Sequence, residues 1–209
     1  MELATKPERI TRQPAAEVAL SGVCRVLVGG FDNAGKSTLA CSLFENLRQN
    51  DIDTSLYELD RWSDTHDAIL GRKDWSQRSK RAEVSLTQYY DYAQYYLNDQ
   101  STIVIGDLEG RQQNQHILQL AGCAQIGILV TRGRIQSDET SQFLQTEDGW
   151  RDLFAKIEVP IDFHVRSVRE HQAIPINTLP IYGLERISVP DNPGIKKLAA
   201  LLIERAQCL

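Results

Sequence analysis

A short apolar run, a glycine-containing loop and a helical pattern follow one another near the start of the chain. Residues 25–28 are mostly apolar, as in a buried parallel strand. Gly30 and Gly35 then stand five positions apart, and Lys36 and Ser37 follow at once, which gives the spacing G-x-x-x-x-G-K-S. Leucines recur at helical spacing after the loop. This order of strand, loop and helix is typical of α/β proteins that bind phosphate at a helix N-terminus.

This loop has the residues that a polyphosphate needs. Glycines let backbone N–H groups curl around a phosphate without a Cβ in the way, and the helix N-terminus adds partial positive charge. Lys36 brings a mobile cation to the β- and γ-phosphates, and the Ser37 hydroxyl is a ligand for Mg²⁺. The pattern is the Walker A motif, and we assign to it a nucleoside triphosphate with Mg²⁺. The predicted nucleotide contacts are Gly30, Asp32, Asn33, Ala34, Gly35, Lys36, Ser37 and Thr38.

A second apolar run ends on an acidic residue. Residues 102–105 are all β-branched, Asp107 follows at the predicted strand end, and Gly110 comes three positions later. The pattern is typical of a Walker B strand that runs into a D-x-x-G turn. We expect Asp107 to hold Mg²⁺ and the Gly110 N–H to contact the γ-phosphate. Glu109 lies inside the turn and is predicted to orient a water molecule as a catalytic residue.

Another strand pattern, residues 54–60, also ends on an acidic residue, Asp60. Ligands of parallel α/β sheets lie beyond the carboxyl ends of the strands, so Asp60 is predicted to face the phosphates or their metal ion. The alternative is a strand-terminating turn, in which Asp is common. The acidic and histidine residues that follow match no standard metal site, and we predict a solvated loop and helix cap. They are Asp64, His66 and Asp67.

The segment 62–98 is longer than a minimal crossover between strands, and we predict a lid or specificity insertion there. Its first half, residues 68–82, is basic around Trp75, which fits either a grip on a phosphorylated substrate or a solvated face. Its second half has a helical pattern to about Asn98. The tyrosines on this helix indicate either an amphipathic helix with hydroxyls at the water boundary or a partner surface.

Strand and helix patterns alternate through the rest of the chain. Strands are predicted at 125–130, 160–167 and within 176–184, with one helix around Trp150 and a last helix that opens at Pro193. Such alternation predicts a three-layer α/β/α sandwich with a mainly parallel sheet, of the P-loop NTPase type.

Length and composition fit one nucleotide-binding domain. The chain has 209 residues, 42% hydrophobic and 24% charged, and we predict a polar arm at 1–20 before a single domain at 21–209. The net charge of −5 argues against a dedicated nucleic-acid binder. Neither a signal peptide nor a membrane span is expected. Four scattered cysteines without metal-type spacing are most simply reduced thiols of a cytoplasmic protein.

The order of these signals resembles the MinD/ParA and CobQ/CobB branches of the P-loop NTPases, known as the SIMIBI class. The resemblance covers nearly the whole chain after the arm. It rests on the loop at 30–37, the strand that ends at Asp60 and the run at 104–110, and the pieces at 128–131 and 179–184 also fit. In this class the acid after the second strand helps to place the metal ion or the attacking water. The resemblance therefore implies both a metal-binding and a catalytic role for Asp60.

Two departures from the class bear on function. MinD/ParA members have a second lysine just after the first glycine of the loop, where this chain has Phe31, which argues against a nucleotide sandwich dimer that uses that lysine. A homodimer of another kind stays open as a partner arrangement. The Asn that reads the base is missing from the neighbourhood of His164, Arg166 and Ser167, and no N-K-x-D guanine signature occurs. ATP is preferred to GTP as the default.

Three functions remain open from the sequence. The first is a regulatory or partner-coupled NTPase that binds and hydrolyses ATP, or less readily GTP, and reports its nucleotide state to another protein. The second is a small-molecule kinase or ATP-dependent synthetase of the dethiobiotin-synthetase or CobB kind, which needs an acceptor molecule. The third is a nucleotide-binding module that does not turn over. All three need the loop, Mg²⁺ and the acidic strand ends.

Overall fold

The computed structural model describes residues 22–31, 33–59, 65–72, 86–108, 110, 122–132, 146–168, 178–184 and 187–209. Within these stretches lie six β-strands and five α-helices. The strands are β1 (Cys24–Gly30), β2 (Thr54–Leu59), β3 (Ile103–Leu108), β4 (Ile126–Arg132), β5 (Ile161–Val168) and β6 (Leu179–Tyr182). The helices are α1 (Lys36–Gln49), α2 (Thr65–Ile69), α3 (Leu86–Asn98), α4 (Glu147–Lys156) and α5 (Pro193–Ala206). The predicted arm at 1–20 lies outside the described residues.

All six strands form one parallel sheet with the order β2-β3-β1-β4-β5-β6. β1, β3 and β4 are buried along almost their whole length, as expected for central parallel strands that are covered on both faces. The carboxyl ends of parallel strands meet at one edge of the sheet. The loop after β1 therefore opens at the same edge as the ends of β2 and β3.

The register of β1 and β3 decides which side chains share a face. A Cβ built on Gly29 would lie 2.8 Å from atoms of both Trp150 and Phe154, so Gly29 faces α4. Asp107 pairs in register with Val28, the neighbour of Gly29, and so points to the opposite face. On that face α1 packs against both α2 and α5. Asp107 therefore lies on the α1 side of the sheet, away from α4.

The helix α3 belongs to the same layer as α4. Gly106 of β3 pairs with Leu27, and a Cβ built on Gly106 would lie 3.0 Å from the Tyr96 ring. Tyr96 is fully buried, and its hydroxyl has no hydrogen-bond partner among the described residues. Of the two alternatives left open for this helix, tyrosine hydroxyls at the water boundary do not describe Tyr96, although Tyr95 is exposed. Helices on both faces of the sheet confirm the predicted α/β/α sandwich.

Element boundaries differ from the predictions by a residue or two. β2 ends at Leu59, and Asp60 lies outside the described residues. β5 covers Ile161–Val168, one position later than predicted, and β6 occupies only Leu179–Tyr182 of the extended stretch at 176–184. No described helix is both long and apolar enough to cross a bilayer.

Candidate functional site

The loop begins at a residue that only glycine can occupy. Gly30 has φ of 144°, and a Cβ built on it would lie 1.9 Å from the Val130 carbonyl oxygen of β4. The next residue, Phe31, donates its N–H to the same oxygen at 3.2 Å. At the end of β1 the backbone of Gly30 therefore lies so close to the Val130 carbonyl of β4 that no side chain would fit at this position.

The far end of the loop has a second required glycine. Gly35 has φ of 86° and stands at the N-cap of α1, and a Cβ there would lie 2.9 Å from the Leu184 Cβ. Asn33 is also left-handed, with φ of 53°, and Ala34 N donates to Phe31 O at 3.2 Å. Three left-handed or glycine-only conformations within six residues give this loop its tight curl.

Two parts of the chain after β6 contact α1 and its N-cap: Leu184 lies against Gly35, and residues 189–190 are hydrogen bonded to the helix. Val189 N donates to the Ser42 hydroxyl at 2.9 Å, and the Asn46 amide donates to Pro190 O at 2.8 Å. Both side chains on α1 are buried. The chain therefore contacts α1 both at its N-cap, through Leu184, and along the helix, through residues 189–190.

Lys36 folds back over the loop instead of extending into water. Its side chain is 7% exposed, and Nζ donates to the Phe31 carbonyl at 3.0 Å. The first turn of α1 contains no acidic residue. A cation and the positive end of a helix dipole therefore meet at the curled loop, an arrangement that favours an anion.

Asp107 is the acidic group of this site that the structure describes in full. It is 2% exposed, and His66 Nε2 lies 3.0 Å from its Oδ2. Its other oxygen, Oδ1, is buried and has no hydrogen-bond partner among the described residues. Buried carboxylate oxygens are normally satisfied by a donor, a water or an ion. Asp107 therefore fits a divalent cation such as Mg²⁺ as a ligand, directly or through water.

His66 contradicts the prediction of a solvated loop and helix cap, because it is 8% exposed. Burial by itself lowers the pKa of His66, but the hydrogen bond to Asp107 and the charges of Glu58, Asp107 and Asp67 outweigh burial and raise it overall. Glu58 of β2 pairs in register with Asp107, so the two carboxylates share one face of the sheet. The sequence pattern predicts a solvated loop for His66 and does not single out Glu58, since no local spacing links either residue to Asp107.

The predicted site residues fall into two groups. Among the described ones, Gly30, Asn33, Ala34 and Gly35 form the loop and Lys36 begins α1, whereas Asp107 lies at the end of β3 and Gly110 is buried just beyond it. Ser37 and Thr38 lie in the first turn of α1, and Thr38 is buried. Three predicted site residues lie outside the described residues: Asp32, Asp60 and Glu109.

A second polar cluster lies on the other face of the sheet, near the end of β4 and the middle of β5. The hydroxyl of Thr131, which is buried, is hydrogen bonded to His164 Nε2 at 2.9 Å. Arg151 Nη2 of α4 lies 3.3 Å from His164 Nδ1. Burial lowers the pKa of His164, Arg151 and Arg166 lower it further, and Glu147 opposes them.

Three solved structures share this architecture at low sequence identity. MinD from Pyrococcus horikoshii OT3, a septum site-determining protein complexed with Mg-ADP, is 13% identical with a TM-score of 0.64, over 88% of this chain and 97% of that one. A putative plasmid partition protein from Borrelia burgdorferi B31, bound to AMPPNP, is 13% identical with a TM-score of 0.54, over 88% and 99%. Cobyrinic acid a,c-diamide synthase from Mycobacterium smegmatis, with a bound ATP analog and magnesium, is 12% identical with a TM-score of 0.53, over 88% and 95%.

No protein-family model matches the sequence, and no curated protein matches it either. The likeness between this chain and the three solved structures is therefore a likeness of fold. In each of the three structures the match spans almost the whole compared chain. With its six parallel strands and its glycine loop between β1 and α1, this chain has the fold of the SIMIBI class of P-loop NTPases.

Proposed function

We propose that this protein binds a nucleoside triphosphate with Mg²⁺ in the loop between β1 and α1 and hydrolyses it. The observation that carries the proposal is the shape of that loop. Gly30 and Gly35 adopt conformations that exclude a Cβ, and Lys36 folds over the curl between them. ATP is the favoured nucleotide and GTP the less favoured one, because the similar structures hold ADP, AMPPNP or an ATP analog.

The chain's own residues divide the chemistry among them. The loop amides and Lys36 hold the β- and γ-phosphates and stabilise the charge that develops as water attacks the γ-phosphorus and the bond to the β-phosphate oxygen breaks. Ser37 and Asp107 are the proposed Mg²⁺ ligands, and the bound ion supplies further charge neutralisation at the phosphate oxygens. Asp60 and Glu109 are proposed to orient the attacking water, on the strength of their positions in the sequence.

The finer activity that we propose is a regulatory NTPase coupled to a partner protein. Gly110 is buried two positions after β3 ends at Leu108, and Asp107 is the residue before Leu108. An N–H contact from Gly110 to the γ-phosphate would thus act on the strand end that also carries a metal ligand. Turns of this kind change conformation when the γ-phosphate leaves. A partner that contacts the turn would distinguish the triphosphate state from the diphosphate state.

Phe31 favours a second candidate, a small-molecule kinase or ATP-dependent synthetase. Its side chain is 5% exposed, and its N–H donates to Val130 O. A buried phenylalanine cannot reach the nucleotide of a second copy as a cation would, which weakens the case for a sandwich homodimer. An acceptor molecule would then complete the reaction. The synthase from Mycobacterium smegmatis, which carries an ATP analog on this fold, is consistent with that reading.

Calorimetry tests the binding proposal. AMPPNP and a non-hydrolysable GTP analogue are titrated into the protein with and without Mg²⁺, and Lys36→Ala is compared with Lys197→Ala, which changes an exposed lysine of α5. Loss of the ammonium–phosphate hydrogen bonds should weaken AMPPNP binding by about ten- to a hundredfold. The control should bind like the wild type. Equal affinity in the two variants would contradict the assignment of the loop.

Turnover assays separate the two candidate activities. A regulatory NTPase should release phosphate slowly from ATP and Mg²⁺ alone, and a pool of small metabolites should leave that rate unchanged. A kinase or synthetase should show little release until its acceptor is present. A rate of phosphate release that depends on added metabolites would therefore contradict the regulatory NTPase and support the kinase or synthetase.

A further inference from the structure

We propose that His66 is a positioning residue for the metal ligand Asp107. In this proposal the imidazole N–H holds one carboxylate oxygen, Oδ2, so that the other, Oδ1, is presented to Mg²⁺ or to one of its water ligands. The inference rests on the proposed function, because it assigns a role at the metal-binding half of the same site. It adds a residue that neither the motifs nor the resemblance pointed to.

The contact between His66 and Asp107 joins two buried side chains. Their side chains are 10% and 2% exposed, and Nε2 and Oδ2 are 3.0 Å apart. A carboxylate is an acceptor only, so the histidine is the donor in this pair. The bond fixes the rotation of the carboxylate, which otherwise turns freely about its terminal torsion.

The two oxygens of Asp107 have different surroundings. Oδ2 accepts from His66, whereas Oδ1 is buried and has no partner among the described residues. A structural aspartate buried to this degree normally has donors on both oxygens, because an unsatisfied buried oxygen costs about 1–3 kcal/mol. The asymmetry is what a ligand carboxylate needs: one oxygen fixed by the protein and the other available to a cation.

The histidine is itself held by the neighbouring strand. Glu58 of β2, in register with Asp107, accepts a hydrogen bond from Thr65 N at 3.0 Å through Oε1. Thr65 is the first residue of α2 and the direct neighbour of His66. The strand pair β2–β3 thus supplies both the carboxylate and the anchor for the helix that carries its donor.

The other end of α2 is anchored as well. Ser188 N donates to Ile69 O at 3.3 Å, and the Ser188 hydroxyl donates to Glu45 of α1. A helix of five residues cannot persist through its own hydrogen bonds, so its position depends on these contacts. α2 is therefore a small element fixed at both ends, and His66 is the side chain that it brings to the site.

The test compares His66→Leu with His66→Gln. Leucine is apolar and has no donor, whereas glutamine keeps an N–H that can reach Oδ2. The affinity for Mn²⁺, a paramagnetic substitute for Mg²⁺, is measured by electron paramagnetic resonance with AMPPNP bound, and AMPPNP affinity is measured separately in EDTA. We expect His66→Leu to weaken Mn²⁺ binding by about ten- to a hundredfold. His66→Gln should recover most of that loss, and metal-free AMPPNP affinity should stay the same in both.

His164→Leu is the matched control. It removes another hydrogen-bonded histidine from the opposite face of the sheet and should leave Mn²⁺ affinity unchanged. If His66→Leu does not fold, as judged by thermal denaturation, His66→Asn replaces it, because its shorter amide does not reach Oδ2.

Three results would overturn the inference. They are an unchanged Mn²⁺ affinity in the folded donor-free variant, a tighter one, which would make His66 a competitor of the metal, and a glutamine variant as weak as the leucine variant. Failure of the wild type to bind AMPPNP with Mn²⁺ is a separate result. It would overturn the proposed function first and the role of His66 with it.

Discussion

The helices α1 and α5 begin in opposite ways, although they pack against each other. At the start of α5, Asn192 Oδ1 accepts from Gly194 N at 2.9 Å, so the helix closes its own N-terminus. α4 does the same through Thr146 Oγ1, which accepts from Gly149 N at 3.0 Å. At the start of α1 the N-cap is Gly35, which has no side chain to accept a bond.

The difference separates helices that satisfy their own N-termini from the helix at which we propose that the nucleotide binds. A side-chain cap contributes about 1 kcal/mol to stability, and α1 lacks one at Gly35. In its place α1 has a curled loop, a lysine folded over it and no acidic residue in the first turn. In the proposed function, the positive N-terminal end of α1 faces a bound anion and is not satisfied by a side chain of the helix itself.

The largest expected effect is on stability and comes from adding a methyl group at Gly30, where the loop begins. Gly30→Ala places a Cβ against the Val130 carbonyl and should lower the free energy of unfolding by about 3 kcal/mol. Gly71→Ala is the control, because Gly71 is left-handed but nothing lies within 4 Å of its Cβ position. That change should cost about 1–2 kcal/mol. Urea denaturation measures both, and equal losses would show that contact with β4 does not shape the loop.

A smaller effect is expected from Asp107→Asn. The amide oxygen can still accept from His66, so the melting temperature should change little, whereas the loss of negative charge should weaken Mg²⁺ binding at least about tenfold. Mg²⁺-dependent AMPPNP binding followed by calorimetry gives the second quantity. A sharp fall in melting temperature with unchanged metal dependence would make Asp107 a structural residue. The proposed metal site near α1 would then lose its acidic ligand, and the uncapped start of α1 would need another explanation.

The caps of α4 and α5 should affect stability alone. Thr146→Ala and Asn192→Ala each remove one side-chain acceptor and should lower the free energy of unfolding by about 1 kcal/mol. Nucleotide affinity should remain that of the wild type, because neither residue belongs to the loop. Weaker AMPPNP binding in either variant would show that those helix ends affect the nucleotide site, and would contradict a purely structural role for the two caps.

The smallest effect concerns pH and the cluster on the α4 face. Burial lowers the pKa of His164, with Arg151 and Arg166 adding to that effect and Glu147 opposing it. The unfolded chain therefore binds a proton at a higher pH than the folded protein does. The contribution of His164 to the free energy of unfolding should therefore fall as the pH is lowered through the ordinary histidine range, opposite in sign to that of His66, whose pKa is raised. In His164→Gln this part of the dependence should disappear, which denaturation at a series of pH values would detect.

The sequence determined the elements whose signals are local. The apolar run of β1, the glycine spacing and the helical leucines of α1 are each visible within a dozen residues, and the structure confirms the strand, loop and helix. The strand end at Asp107 was recognised for the same reason, since a β-branched run followed by an acid is a short-range pattern. Parallel pairing followed from the alternation of strands and helices.

Tertiary structure alone decided what surrounds the acidic strand end. His66 and Asp107 are 41 positions apart, and Leu184 reaches Gly35 from the far end of the sheet. The hydrophobic pattern of the sequence does not reveal such contacts, because they depend on the register between β2 and β3 and on which side chains of each strand share a face of the sheet. The histidine that looked solvated in the sequence is buried for that reason, and so is Tyr96 under Gly106. The loop could be predicted because its signal is local, whereas the contacts of His66 with Asp107 and of Leu184 with Gly35 depend on long-range packing.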